Sequence, residues 1–189
     1  IALLISSDEI ISALFGYGQF SESSVLNSAK ALYFFSLGLP AFAIIKVFSN
    51  FFFANHDTKT PFYASLFSVI LNIFISVYYF KEIGFIIIPI ATTISSWFNS
   101  MILFLILKKR NLFSFNGIFI KRFFKIVVSS ILMGLFFNYL IVIFNDQLSY
   151  ENSLKSVYLI LSVILGLGFY LLISFLIKAF QLEDIKLKY

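Results

Sequence analysis

The sequence predicts an all-α integral membrane protein, a helical bundle whose members each cross a bilayer, on three observations. Hydrophobic residues make up 60% of the chain and charged residues only 12%, against about 25% charged in soluble domains. Mean hydropathy is +0.98. Apolar runs of about twenty residues recur between short charged connections, the length that crosses a hydrocarbon core of roughly 30 Å at 1.5 Å per helical residue. No strand-type alternation of about ten residues recurs, which argues against a β-barrel.

Taken in order, Ile1 to Ser7 reads as the end of a helix, and Asp8 to Tyr17 as a short amphipathic piece closed by Gly16-Tyr17-Gly18. Five full spans follow, at Ala31 to Ala54, Phe62 to Phe80, Phe85 to Leu107, Phe123 to Phe144 and Val157 to Phe180. A longer basic link joins Lys108 to Lys125. The apolar run is already under way at Ile1, with no charged region or small-residue cleavage site before it, so a truncated product is expected rather than a signal peptide.

The net charge of +5 comes from basic residues lying between apolar spans, without an aromatic or Gly-rich basic groove, so nucleic acid is not an expected partner. If the Gly16 to Asn27 loop is outside, alternation places Lys59, Lys108, Lys109, Arg110, Lys121, Arg122, Lys125, Lys178, Lys186 and Lys188 inside. Only Lys30, Lys81 and Lys155, near span ends, fall outside. The positive-inside rule then predicts a cytoplasmic C-terminus. Cys is absent and His56 is the single histidine, which excludes disulfides, thiolate chemistry and multi-histidine metal motifs. No catalytic pair, nucleophile or phosphate loop stands out, so neither enzymatic activity nor a cofactor is expected.

Three sets of residues carry the functional expectations. Lys46 lies about nine residues, roughly 13 Å, from the inner end of its span, farther than a lysine stem can snorkel in full. It reads either as a cavity-facing cation that meets an anionic substrate or as a snorkelling, carbonyl-bonded lysine. Gly38-Leu39-Pro40 marks a bend in the same span. At the following turn, Thr60-Pro61 has the composition of a helix start, with Thr60 as cap and Pro61 at the first helical position. Asp57 and Lys59 beside it are either good turn formers or contacts that latch the inner face. Asn72, Asn99, Asn138, Thr92, Thr93, Ser95 and Ser96 read mainly as helix-packing residues. Gly134, Gly166 and Gly168 read as seats for the last two helices against each other.

The order Leu14-Phe15-Gly16-Tyr17-Gly18-Gln19-Phe20, then Gly38-Leu39-Pro40 with Lys46 and Val47, then Asp57-Thr58-Lys59-Thr60-Pro61, then Gly84 and Trp97-Phe98-Asn99 resembles the C-terminal part of the MurJ/MviN family. These are lipid II flippases of the MOP superfamily, related to the MATE exporters. The resemblance covers Ile1 to about Arg110 well and continues as two further spans.

It implies the C-terminal portion of a 14-helix, two-lobe transporter. Residues 1–110 would end the C-terminal lobe, with a partial ninth helix and helices ten to twelve. Residues 111–189 would hold the basic cytoplasmic link, two additional helices and a cytoplasmic tail. The implied activity is alternating-access movement of undecaprenyl-pyrophosphate-linked peptidoglycan precursor from inner to outer leaflet of the bacterial inner membrane. The implied partners are lipid II, membrane lipids and cell-wall synthesis proteins. Lys46 matches the lysine of the family's tenth helix, and the spans bearing Gly134, Gly166 and Gly168 match a groove for the polyprenyl tail. Asn55-His56 departs from the pattern, since relatives often carry an Arg there. The alternatives are another MOP transporter, either a polysaccharide-repeat flippase or a MATE-like antiporter, and a non-transport scaffold subunit. No acid of this chain sits mid-span to couple ions in the way an antiporter requires.

Overall fold

The structure, a computed structural model, describes residues 1–112 and 117–179. Among them run eight α-helices: α1 (Ala2–Ile5), α2 (Ser7–Phe15), α3 (Glu22–Ala54), α4 (Lys59–Ile83), α5 (Ile87–Lys109), α6 (Gly117–Ile143), α7 (Asn145–Leu148) and α8 (Lys155–Leu176). Four continuous helical stretches, 22–54, 59–109, 117–143 and 155–176, are long and apolar enough to cross a membrane. The second contains both α4 and α5, which are joined through a 3-10 turn at Gly84–Ile86. Gly84 holds φ +74, a left-handed conformation that glycine adopts without a Cβ clash, and the chain reverses there. The expected spans are therefore present as separate helices. Within the expected Lys108 to Lys125 link, residues 113–116 lie outside the described residues, as do Phe180, Lys186 and Lys188.

α3 starts nine residues before the apolar run that announced it. Ser21 explains the difference, because its side chain accepts the Ser24 N–H at 3.3 Å and its carbonyl the Val25 N–H at 3.0 Å, giving a polar first turn that needs no hydrocarbon to form. The helix then runs unbroken through Pro40. Pro40 has no N–H to donate back along the helix, and donors from α5 reach α3 just ahead of it. Thr93 Oγ1 donates to the Phe34 carbonyl at 2.6 Å and Trp97 Nε1 to the Leu37 carbonyl at 3.0 Å. Gly38 permits the approach, since a Cβ there would sit 3.0 Å from Thr93 Oγ1.

The helices form two compact units. One holds residues 30–54 of α3 with α4 and α5, cored by Phe52, Ala64, Leu103 and Leu107. The pairs Ser68 with Ser95, Asn72 with Thr92 and Asn99 with Ser65 show α4 and α5 running antiparallel. The other unit holds α1, α2, the first turns of α3, α6, α7 and α8, cored by Ala13, Phe137, Ile141, Leu148 and Leu159. Large apolar side chains cover the outer surfaces, among them Phe67, Phe74 and Val77 of α4, Leu135 and Val142 of α6 and Leu176 of α8. Such surfaces suit a lipid solvent.

Three long helices end in the same way. At α3, the Asp57 N–H reaches back to the Phe52 carbonyl at 2.9 Å and the His56 N–H to Phe53 at 3.0 Å. Leu112 with Leu107 and Asn111 with Lys108 repeat the pattern at α5, and Ala179 with Ser174 and Lys178 with Phe175 repeat it at α8. These are Schellman terminations, which return bonds to carbonyls the helix leaves orphaned and require a left-handed residue. His56, Asn111 and Lys178 fill that position at φ 57, 54 and 55. A non-glycine residue there is strained by roughly 1–3 kcal/mol. His56→Gly is therefore expected to stabilise the folded protein by about 1 kcal/mol, measured as a raised thermal midpoint in detergent; an unchanged or lowered midpoint contradicts this account of the α3 terminus.

Candidate functional site

The Asp57 turn is built directly on the end of α3. Because the Schellman bonds aim Asp57 forward, its carboxylate receives the Thr60 N–H at 3.0 Å on Oδ1 and the Thr60 hydroxyl at 2.6 Å on Oδ2. Arg110, just past α5, donates Nη1 to the same Oδ2 at 2.6 Å and Nη2 to Thr60 Oγ1 at 3.1 Å. Its guanidinium also lies 5.7 Å over the Phe52 ring. The expected cap is thus corrected. α4 begins at Lys59, Pro61 is its third residue, and Asp57 rather than Thr60 satisfies the first-turn donor. A carboxylate wins this competition because it is a charged acceptor near a helix N-terminus, whereas the Thr60 hydroxyl spends its proton on that carboxylate. The Thr60 hydroxyl and N–H, then Arg110, hold the Asp57 carboxyl well below the usual carboxylate range.

Lys59 is exposed at the first position of α4 and takes no part in this cluster. Arg110 supplies the cation, from a residue the sequence marks only as one of several basic residues in the link. Lys46 is not brought to the turn either. It is exposed, five residues and about 140° around α3 from fully buried Ala41. Among the described residues no hydrogen bond or ion pair engages its amine.

Between α3, α4 and α5 lies a cavity of about 330 Å³, lined by Phe42, Ile45, Ser65, Ser68, Val69, Asn72, Thr92, Ser95, Ser96 and Asn99. Ser68 donates to the Ser95 carbonyl at 2.6 Å, and Asn72 Nδ2 donates to Thr92 Oγ1 at 3.0 Å. Interhelical bonds of this kind average about 0.6 kcal/mol in membrane proteins. Asn99 Oδ1 is buried and lacks a partner among the described residues, which leaves an acceptor for water or another donor.

In the other unit, an apolar cavity of about 270 Å³ is lined by Ala2, Ser130, Met133, Phe137, Val163, Gly166, Leu167 and Tyr170. Of the three glycines expected there, the structure places only Gly166 on it. A Cβ at Gly166 would stand 3.0 Å from Phe137 Cδ2, so this glycine seats α8 against α6. Gly134 instead admits α1, its Cβ position lying 2.5 Å from Ile1 Cγ2. Gly168 has nothing within 4 Å. The two-residue spacing of Gly166 and Gly168 turns them about 200° apart on a helix, so both cannot share one contact.

A polar cavity of about 250 Å³ is lined by Asp8, Glu9, Ser12, Glu22, Val25, Leu26, Asn145, Asp146, Leu148, Ser149 and Tyr150. Burial pushes the Glu9 carboxyl up, and Asp8 adds to the shift. Among the described residues no group of three acidic or histidine side chains could hold a metal ion. Sequence reasoning also passed over Lys155, which is 1% exposed although it sits at a span end. Nothing in its local sequence distinguishes it from the exposed Lys30 or Lys81.

A family model described as "Lipid II flippase MurJ" matches residues 1–160. A Thermotoga maritima protein described as "Probable lipid II flippase MurJ" is 32% identical over 185 residues, covering 98% of this chain and 36% of the relative. A Rickettsia prowazekii protein of the same description is 35% identical over 102 residues, covering 54% of this chain and 20% of the relative. A solved structure described as "Lipid II flippase MurJ, inward closed conformation" matches with a TM-score of 0.72 at 26% identity, covering 92% of this chain and 34% of that one. The chain thus spans about a third of the Thermotoga relative's length and about a fifth of the Rickettsia one.

Two outcomes follow from the geometry. Asp57 contributes stability that is present above its unfolded value of about 3.9 and lost only as pH falls through its lower folded value. Asp57→Asn should therefore lower the thermal midpoint at pH 7 and flatten its decline below pH 4; an equal midpoint in both proteins at pH 7 removes the turn's energetic role. Gly168→Ala should be neutral or stabilising by up to roughly 1 kcal/mol, as for a helical glycine in open space. Gly166→Ala should destabilise by displacing Phe137, so the reverse ranking in a thermal melt contradicts the seat assigned to Gly166.

Proposed function

The chain belongs to the MurJ family of lipid II flippases, and from that premise we propose that it is the C-terminal portion of such a flippase, moving lipid-linked peptidoglycan precursor across the bacterial inner membrane. The family match over residues 1–160 carries this reading. α2 then follows the end of the ninth helix; α3, α4 and α5 are the tenth to twelfth and close the C-terminal lobe at about residue 110; α6 and α8 are the thirteenth and fourteenth. The C-terminus is cytoplasmic on this reading, as the distribution of Lys and Arg supports.

The physical demands of the task fit the side chains. A pyrophosphate cannot enter hydrocarbon unpaired, so its path needs cations, while the prenyl tail needs only an apolar surface. Lys46 is exposed, with an amine that nothing engages among the described residues, and it serves as a cavity cation that meets the headgroup. The apolar cavity along Phe137 and Gly166 takes part of the tail. Alternating access comes from one lobe of the whole transporter rocking against the other. The Asp57–Arg110 ion pair closes the inner end of the α4–α5 hairpin and keeps it rigid as the lobe moves. Translocation makes and breaks no covalent bond, so no residue is assigned a catalytic role.

Complementation tests the reading. The full-length protein is expected to restore growth to a strain depleted of its lipid II flippase, and failure of well-expressed protein to do so overturns the function. Lys46→Ala should abolish rescue at normal protein level, with Lys46→Arg retaining part of it. Wild-type growth with Lys46→Ala would return that lysine to a snorkelling role.

A further inference from the structure

Lys155 is the one fully buried cation among the described residues, and no carboxylate pairs with it. Its Nζ donates to the Gly16 carbonyl at 2.7 Å and to the Tyr150 carbonyl at 2.7 Å. The same nitrogen lies 4.5 Å from the ring centroids of both Tyr17 and Tyr150. Two carbonyl dipoles and two π faces are an environment for an ammonium, and they come from both ends of the chain. Gly16 caps the C-terminus of α2, where carbonyls lack helical donors, so Lys155 satisfies an acceptor that would otherwise be orphaned.

The surrounding bonds converge on the same turn. Tyr17 OH and Ser156 Oγ are 2.6 Å apart, Ser156 Oγ donates to the Ala13 carbonyl at 2.6 Å, and Tyr150 OH donates to the Phe20 carbonyl at 2.6 Å. The entire α2–α3 turn, from Ala13 to Phe20, is thus gripped by residues at the start of α8 and the turn before it. Gly16 has an ordinary φ of −71, so its lack of a side chain serves proximity rather than backbone freedom. A Cβ there would fall 2.5 Å from the Ser12 carbonyl oxygen and 3.1 Å from the Lys155 amine. The Gly16-Tyr17 pair therefore has a specific use: one residue makes room for the ammonium and the other supplies a wall of its cage.

We propose that Lys155 is a positioning residue whose ammonium clasps the α2–α3 turn to α8 and thereby sets the width of the apolar cavity that α1, α6 and α8 enclose. Ala2 lines that cavity from the N-terminal segment, and Phe137, Gly166 and Leu167 line it from α6 and α8. Its opening depends on how α8 is held against the N-terminal segment, and the clasp fixes one end of α8. The role of the cavity in holding a prenyl tail rests on the function proposed above, whereas the clasp itself does not.

The test uses full-length protein in phospholipid vesicles with two independent readouts: amide hydrogen exchange at residues 16–20 and 154–158, and photolabelling of the cavity by a benzophenone-bearing polyprenyl phosphate. Lys155→Met, which keeps the stem and removes the charge, should speed exchange in both segments at least tenfold and cut labelling near Phe137 severalfold. Gly16→Ala, a milder change should the first variant fail to fold, should act in the same direction. Added propylammonium should restore both readouts to Lys155→Ala, which a purely packing role would not allow. Unchanged exchange in Lys155→Met and Gly16→Ala refutes the clasp. Faster exchange with undiminished labelling refutes its control of the cavity. Wild-type protein that does not label overturns the tail reading and the positioning role with it, while the exchange data still judge the clasp.

Discussion

Polar groups that this chain carries into or beside hydrocarbon have few partners there except one another, because lipid offers no hydrogen bonds. That constraint organises the structure at every scale. It selects helices, which bond their own backbone internally and leave only the first four N–H groups and the last four carbonyls of each helix without partners. Three helix ends return bonds to those carbonyls through left-handed His56, Asn111 and Lys178. At α2 the Gly16 carbonyl is met by a lysine side chain from the far end of the chain. Ahead of Pro40, hydroxyl and indole donors of α5 reach the α3 carbonyls.

The same constraint explains how far the sequence could be read. Span positions were legible because run length and hydropathy determine them almost alone. The start of α4 was not, since the preference for Asp57 over Thr60 depends on how α3 ends, and that ending uses a histidine in a conformation that local propensity assigns to glycine. Lys46 was legible as unusual because its distance from the span boundary can be counted. Lys155 was invisible by the same measure: its position at a span end predicts exposure, and the folding back of Gly16, 139 residues away, with Tyr17 and Tyr150 buries it. The three glycines show an intermediate case. Small residues announce close approach, yet which neighbour approaches is decided by rotation about the helix, so Gly134 receives α1, Gly166 receives Phe137 and Gly168 receives nothing.

The two units meet their packing requirements by different chemistry. In the α3–α4–α5 unit, serine, threonine and asparagine side chains bond across the α4–α5 contact beside the cavity that Asn72 and Asn99 help to line. Those bonds are individually weak, so their value lies in register: a one-residue slip of α5 would rotate Thr92, Ser95 and Asn99 together by about 100°, out of reach of Ser65, Ser68 and Asn72. In the α6–α8 unit the contact is made by Phe137, Gly166 and the stacked rings of Phe136 and Phe169, whose centroids are 4.3 Å apart. Dispersion fixes distance well and register poorly, so the helices need a directional contact at an end, which the Lys125 amine of α6 provides by donating to the Lys178 carbonyl just past α8.

This division bears on transport. A surface that admits a long hydrocarbon tail can carry few hydrogen-bonding groups, because each one would be stripped of partners when the tail enters. The polar anchoring of these helices therefore lies outside the apolar cavity: Lys155 ties the start of α8 to the α2–α3 turn, and the Lys125 amine of α6 donates to the Lys178 carbonyl at 3.3 Å. Between those anchors the helices are free to present an almost wholly apolar face. A charged headgroup would impose the opposite requirement, and on the function proposed above Lys46 is the residue assigned to it, on a helix whose carbonyls ahead of Pro40 are held by the α5 donors. Separating directional bonds from lipid-facing surface lets one chain combine a rigid helix framework with apolar faces, the combination that the proposed function requires.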